Sequence, residues 1–225
     1  WYSTICTKKY DLVMDEEITI IDTNTRNEKL KNFFINNKKN LIIGTSIILI
    51  LVISYFSFDA IKEKNKINLA NKFNIITINF KSEDKQKTVK SLINIVKEND
   101  VTYSPLALYF LIDNNLIESK EEINILFDEL INKTNLDKEI KNLNIYKKGL
   151  FNSNFASENE LLQILNPIIN NDNIWKSHAL YLVAEYFYAK GENQKAKEFF
   201  NKILIIPNSN NAIRVESQKR IKRDF

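Results

Sequence analysis

Eighteen consecutive uncharged residues, Leu41 to Phe58 (LIIGTSIILILVISYFSF), constrain this chain more than any other feature. At about 1.5 Å of rise per residue they cover roughly 27 Å as a helix, close to the ~30 Å hydrocarbon thickness of a bilayer. Their only polar side chains are the hydroxyls of Thr45, Ser46, Ser54, Tyr55 and Ser57, which can bond back to helix carbonyls and are tolerated in lipid. A buried core helix usually carries a shorter apolar run, of about 10–14 residues. A cleaved signal peptide has an apolar region of about 7–15 residues and a small-x-small site, whereas this run ends Phe56-Ser57-Phe58-Asp59. The segment therefore reads as an uncleaved transmembrane anchor.

Charge around the run bears on orientation. Arg26, Lys29, Lys31, Lys38 and Lys39 lie within the fifteen residues before it, and Lys62, Lys64, Lys66 and Lys72 within the fifteen after. The slight excess on the N-terminal side, with Lys38-Lys39 closest to the membrane, favours a cytoplasmic N-terminus. Elsewhere the lysines are spread along the chain. A net charge of +4 without a basic block argues for no nucleic-acid partner. The single cysteine, Cys6, excludes an intrachain disulfide. The single methionine opens Met14-Asp15-Glu16-Glu17, which reads as a natural start, with residues 1–13 as an upstream extension.

Three glycines and three prolines are too few for turn-rich β architecture. Apolar residues after the anchor recur at i, i+3 and i+4, so the expected fold class is all-α. One long helix is predicted over Arg26–Phe80, with the anchor in its middle. Ser82 is expected to cap a helix carrying Val89, Leu92, Ile93 and Val96. Ser104-Pro105 predicts the next start, an N-cap hydroxyl followed by proline at the first helical position. Ser119-x-x-Glu122 and Ser157-x-x-Glu160 read as capping boxes, the first opening a helix through Ile131 and the second one ending near Pro167-Ile168-Ile169. Further helices are predicted over Leu136–Leu150, Ile174–Lys190 with Gly191 ending it, Gln194–Ile206 stopped by Pro207, and Asn211–Arg223.

These helices fall into pairs whose first members begin near Ser104, Leu136 and Ile174. That spacing is close to the 34-residue period of the tetratricopeptide repeat, in which helical hairpins must stack to bury their apolar faces. The most specific window is residues 175–207, where Leu180, Ala184, Phe187, Gly191, Ala196, Phe200 and Pro207 fall near signature positions. Ala184 and Ala196 suit a close helix crossing, Phe187 and Phe200 fill the space between helices, and Gly191 allows a tight turn. Trp175 stands five residues before the usual aromatic position and Pro207 one residue early, which makes the repeat degenerate. The expected organisation is an N-terminal cytoplasmic segment (1–40), a transmembrane helix (41–58), a juxtamembrane and linking helix (59–98) and a tetratricopeptide-like helical-hairpin solenoid (99–225).

The whole plan resembles the ancillary Sec translocon subunits of the YfgM type. The resemblance is carried by Met14-Asp15-Glu16-Glu17, by the Lys-bearing segment Glu28–Phe34, by one span followed by helical hairpins, by Asn173–Ala179 before the repeat, and by the tail Ala212–Ile221. It implies a bacterial inner-membrane protein with its C-terminal domain in the periplasm, associated with translocon subunits, periplasmic chaperones or their clients.

Chemistry-bearing sets are sparse. His178 is the only histidine and lies beside Ala179 and Leu180, where packing is the ordinary role. One His and one Cys cannot make a His/Cys metal cluster, and neither a phosphate-cradling glycine loop nor a nucleophile elbow is present. Neither an enzyme nor a cofactor is expected. Tyr103, Tyr109, Tyr181, Tyr186 and Tyr188 invite a binding-groove reading, and Tyr181 and Tyr188, seven apart on one helix face, are the candidate partner-binding pair. Two functional readings stand: a membrane-tethered scaffold that binds partner proteins, and a self-assembling structural or division-related envelope protein, a homo-oligomer with no translocon link.

Overall fold

A computed structural model describes residues 25–80 and 85–225. The N-terminal readings at Cys6, Met14 and residues 1–13, and the cap at Ser82, lie outside the described residues. Among the described residues the chain is helical, with α1 (25–36), α2 (Lys38–Ile78), α3 (Lys85–Lys97), α4 (Tyr103–Asp113), α5 (Lys120–Lys133), α6 (Lys138–Asn152), α7 (Glu158–Ile169), α8 (Lys176–Ala189), α9 (Asn193–Leu204) and α10 (Asn211–Asp224). Backbone packing divides the chain into two units, Trp1–Lys64 and Asn65–Phe225.

In the first unit, the single long helix predicted over Arg26–Phe80 is interrupted at Asn37. The Asn37 amide and its side-chain Nδ2 both donate to the Phe33 carbonyl, at 3.0 and 2.9 Å. A side chain competing for that carbonyl is a recognised way to disturb a helix ladder. Beyond it, α2 is long and apolar enough to cross a membrane. Its apolar side chains, Ile47–Ile53 and Phe56 among them, are exposed all round. A helix apolar on every side needs either protein or lipid around it, and here none of the described residues covers the run. The Thr45 hydroxyl donates to the Leu41 carbonyl at 2.9 Å, so its polar group is satisfied within the helix.

The second unit has one core. Leu69, Phe73 and Ile76 from the last turns of α2 pack against it, and Leu92, Leu108, Phe127, Leu165, Phe187 and Phe200 fill it. Consecutive helices pack on one another from α3 to α10, and α6 also touches α8, as α8 touches α10. Helix starts follow their local chemistry. At α7 the capping box is complete: the Glu160 amide donates to Ser157 Oγ, and the Ser157 amide donates to Glu160 Oε2 at 2.8 Å. At α5 only half of the box forms. Ser119 Oγ accepts from the Glu122 amide at 3.1 Å but turns its own proton to Glu121 Oε2.

The start predicted at Ser104-Pro105 is corrected. Asp100 Oδ1 already accepts the amides of Thr102 and Tyr103, at 2.8 and 2.7 Å, so α4 begins at Tyr103. Ser104 is instead buried in the first turn, where its hydroxyl donates to the Ile95 carbonyl at 2.8 Å and accepts the Asp100 amide. Pro105 still sits in the first turn, where a missing N–H costs nothing.

Candidate partner-binding surfaces

The α8–α9 hairpin places the repeat-like residues together. Leu180, Ala184, Phe187, Ala196 and Phe200 are all buried. The turn between the helices uses a left-handed residue, Gly191 at φ +75°. Its amide donates to the Tyr188 carbonyl at 3.0 Å, and the Glu192 amide donates to the Phe187 carbonyl at 2.9 Å. Those two bonds make a Schellman cap, which satisfies carbonyls that the end of α8 would otherwise leave open. Phe187 stacks on Phe199 across the hairpin, with ring centroids 5.5 Å apart.

Tyr181 and Tyr188, the candidate pair, are both half-buried, and α10 packs over Tyr188. The Tyr188 ring meets Phe225 edge-on at 5.8 Å and carries the Arg220 guanidinium 4.2 Å above its face. Tyr181 meets Phe200 edge-on at 5.5 Å. Burial, reinforced by the neighbouring Glu185 carboxylate, pushes the Tyr181 phenol up to about 12. The cover is tied down by polar groups. Arg220, itself buried, holds Glu185 of α8 and Asp224 of its own helix. Asn210 caps α10 by accepting the Ile213 amide at 3.2 Å.

The other tyrosines separate by role. Tyr186 donates to the Ala156 carbonyl at 3.0 Å and Tyr103 packs on Phe73, so both are structural. His178 belongs to an aromatic cluster, 5.3 Å from the Trp175 ring, which in turn stacks on Tyr146 at 5.8 Å. Burial lowers the His178 pKa, against a smaller opposing contribution from the Ile174 backbone.

Tyr109 borders a cleft of about 590 Å³ between α4, the start of α5 and the end of α6. Its aromatic walls are Tyr109, Phe151 and Phe155, with Leu150 48% and Phe155 39% exposed. Two ammonium groups rest on these rings: Lys147 is 4.1 Å from the Tyr109 centroid and Lys120 is 4.0 Å from that of Phe155. Tyr109 is anchored through its hydroxyl, which donates to Asn144 Oδ1 at 2.6 Å, and burial pushes its pKa up to about 12. A neighbouring groove among α5, α6 and α7 is less available to a ligand. Its Asn124 and Asn152 side chains exchange two amide bonds, at 3.0 and 2.8 Å, and its Lys148 and Asp128 are paired.

The cleft combines one exposed ring, Phe155, and two half-buried ones with cations that have no ion-pair partner among the described residues, which suits an apolar side chain of a partner. Sequence reasoning named Tyr109 but not Phe151 or Phe155. The available signal was their i, i+4 spacing at the end of α6, beside a loop. Comparison of the chain with family models, curated proteins and solved structures finds no match.

Proposed function

We propose that this protein is a membrane-tethered, non-enzymatic interaction scaffold, in which α2 anchors a tetratricopeptide-like array of helical hairpins that binds partner proteins. The observation that carries the reading is α2 itself. Its first half is apolar on every side and covered by none of the described residues, and Leu69, Phe73 and Ile76 of its last turns pack against the core of the helical unit. Span and domain thus share one helix, which is what a tether requires and a transport path does not. Anchoring raises the concentration of the domain near membrane partners without any new contact.

Three features support a repeat-like array: the Schellman turn at Gly191, the small residues Ala184 and Ala196 buried in the α8–α9 hairpin, and the touching of alternate helices α6, α8 and α10. The resemblance to the YfgM-type subunits supplies the setting: the bacterial inner membrane, N-terminus in the cytoplasm, helical domain in the periplasm, and translocon subunits and periplasmic chaperones as partners. Chemical crosslinking in native membranes, followed by mass spectrometry, tests this. Adducts with translocon subunits or chaperones are expected. Adducts with further copies of this chain alone would replace the scaffold reading with self-assembly.

A further inference from the structure

We propose that α1 lies in the membrane–water interface and binds anionic phospholipid headgroups; this rests on the reading of α2 as a span. α1 is amphipathic in a specific way. At about 100° per residue, Leu30, Phe33 and Phe34 form one strip, and Lys29 and Lys31 stand about 100° to either side of Leu30. The three apolar side chains are 52%, 55% and 58% exposed, so none of the described residues covers the strip. Arg26 precedes Leu30 by one turn on the same side, and its long stem can lie along the apolar strip while its head reaches water. Glu28 and Asn32 occupy the opposite side.

Charge selects the partner. Residues 26–39 hold Arg26, Lys29, Lys31, Lys38 and Lys39 against one acid, Glu28. None of these cations has an ion-pair partner among the described residues. Basic side chains flanking an apolar strip on both sides match a surface of lipid phosphates, which is uniform in sign and planar. The location matches too. Lys39 stands two residues before the apolar run at Leu41, so α1 meets the bilayer at headgroup depth as soon as α2 leaves it. A single turn residue, Asn37, whose side chain competes with its own amide for the Phe33 carbonyl, separates α1 from α2.

The test uses the full chain with Cys6→Ser and one new cysteine, either Phe34→Cys on the strip or Asn32→Cys on the opposite side of the helix, about 200° from both Leu30 and Phe34. Each is labelled with a polarity-sensitive fluorophore and reconstituted into vesicles of phosphatidylcholine, with or without phosphatidylglycerol. With phosphatidylglycerol, the label at 34 is expected to shift to the blue and to escape a water-soluble quencher, while the label at 32 stays accessible. Replacing Lys29, Lys31, Lys38 and Lys39 by Gln is expected to abolish the dependence on phosphatidylglycerol. Equal accessibility of both labels, or equal shielding at 34 in both lipids, would overturn the proposal while leaving the span intact. Release of the protein from the vesicles by alkaline carbonate would overturn the span reading, and the proposal with it.

Discussion

Arg220 Nε donates to Glu185 Oε1 at 2.7 Å, and Arg220 Nη2 donates to Glu185 Oε2 at 2.8 Å, a parallel two-bond clamp that fastens α10 to α8. Arg220 is only 8% exposed and its guanidinium stands 4.2 Å from the Tyr188 ring centroid, so loss of its partner leaves a largely buried charge. Arg220→Ala is expected to destabilise the helical unit by about 2–3 kcal/mol, less than the ~3–5 kcal/mol of a wholly buried pair because Glu185 reaches solvent. Arg220→Lys should recover only part of this, since an ammonium cannot bond in parallel or stack on the ring. Urea unfolding checks both variants; full recovery by lysine would refute the clamp.

A close approach at Gly149 makes a second prediction. A Cβ at that position would come within 2.5 Å of Leu165 Cδ2 and 2.9 Å of Cγ, and Leu165 is wholly buried. Overpacking costs about 1–3 kcal/mol, whereas alanine gains about 1 kcal/mol over glycine in a helix interior. Gly149→Ala is therefore expected to be neutral to clearly destabilising, and Gly149→Val more damaging still. A lower denaturation midpoint for Gly149→Val that Leu165→Ala partly restores would identify the contact; a midpoint raised by valine would exclude it.

These two sites show what the sequence makes legible. The α8–α9 hairpin could be read in advance because its signals are local: Gly191 ends a helix, and Ala184 and Ala196 are small where a crossing needs them. Ser104 matched an N-cap pattern equally well, yet Asp100, four residues earlier, reaches the free amides first. The cleft was hidden because Tyr109, Phe151 and Phe155 are brought together only by packing of α4, α5 and α6. Tyr181 and Tyr188 share a face, as their spacing requires, but no local signal shows that α10 packs over Tyr188. Gly149 looked like any helical glycine until α7 was laid across it.

The tyrosines give a prediction in alkali. The pKa values of Tyr109 and Tyr181 are raised to about 12 from an ordinary 10.0. A group whose folded pKa is raised keeps its proton longer in the native state. Its contribution to stability is therefore complete below pH ~10 and is lost as the pH rises from about 10 through 12. Titration of tyrosinate absorbance should show a late-ionising fraction that shrinks in both Tyr109→Phe and Tyr181→Phe. A single transition near 10 in the folded protein would contradict the burial of both.

Caps provide a graded comparison among serines. Ser157→Ala removes a complete capping box and is expected to cost about 1 kcal/mol. Ser119→Ala removes a half-formed one and should cost less. Ser104→Ala deletes a buried and a half-buried hydrogen bond that tie α4 to α3 and to the turn between them, and should cost the most, about 1–3 kcal/mol, by leaving the Asp100 amide without this partner and the Ile95 carbonyl with only the Glu98 amide. Denaturation midpoints in the order Ser119→Ala, Ser157→Ala, Ser104→Ala, from highest to lowest, are the expected result. A Ser104→Ala variant as stable as the parent would mean that the hydroxyl does not hold those elements together.

The central claim is that a helical domain held at the membrane engages partner proteins. Photo-crosslinking from single positions in intact membranes tests it most directly, with a benzophenone side chain at Leu150 or Phe155 in the cleft and at Ile205 as an exposed position away from it. Adducts with translocon subunits or periplasmic chaperones from Leu150 and Phe155, absent from Ile205 and lost when the apolar run of α2 is replaced, are the expected result. Adducts only with other copies of the chain, or the same products from all three positions, would contradict it.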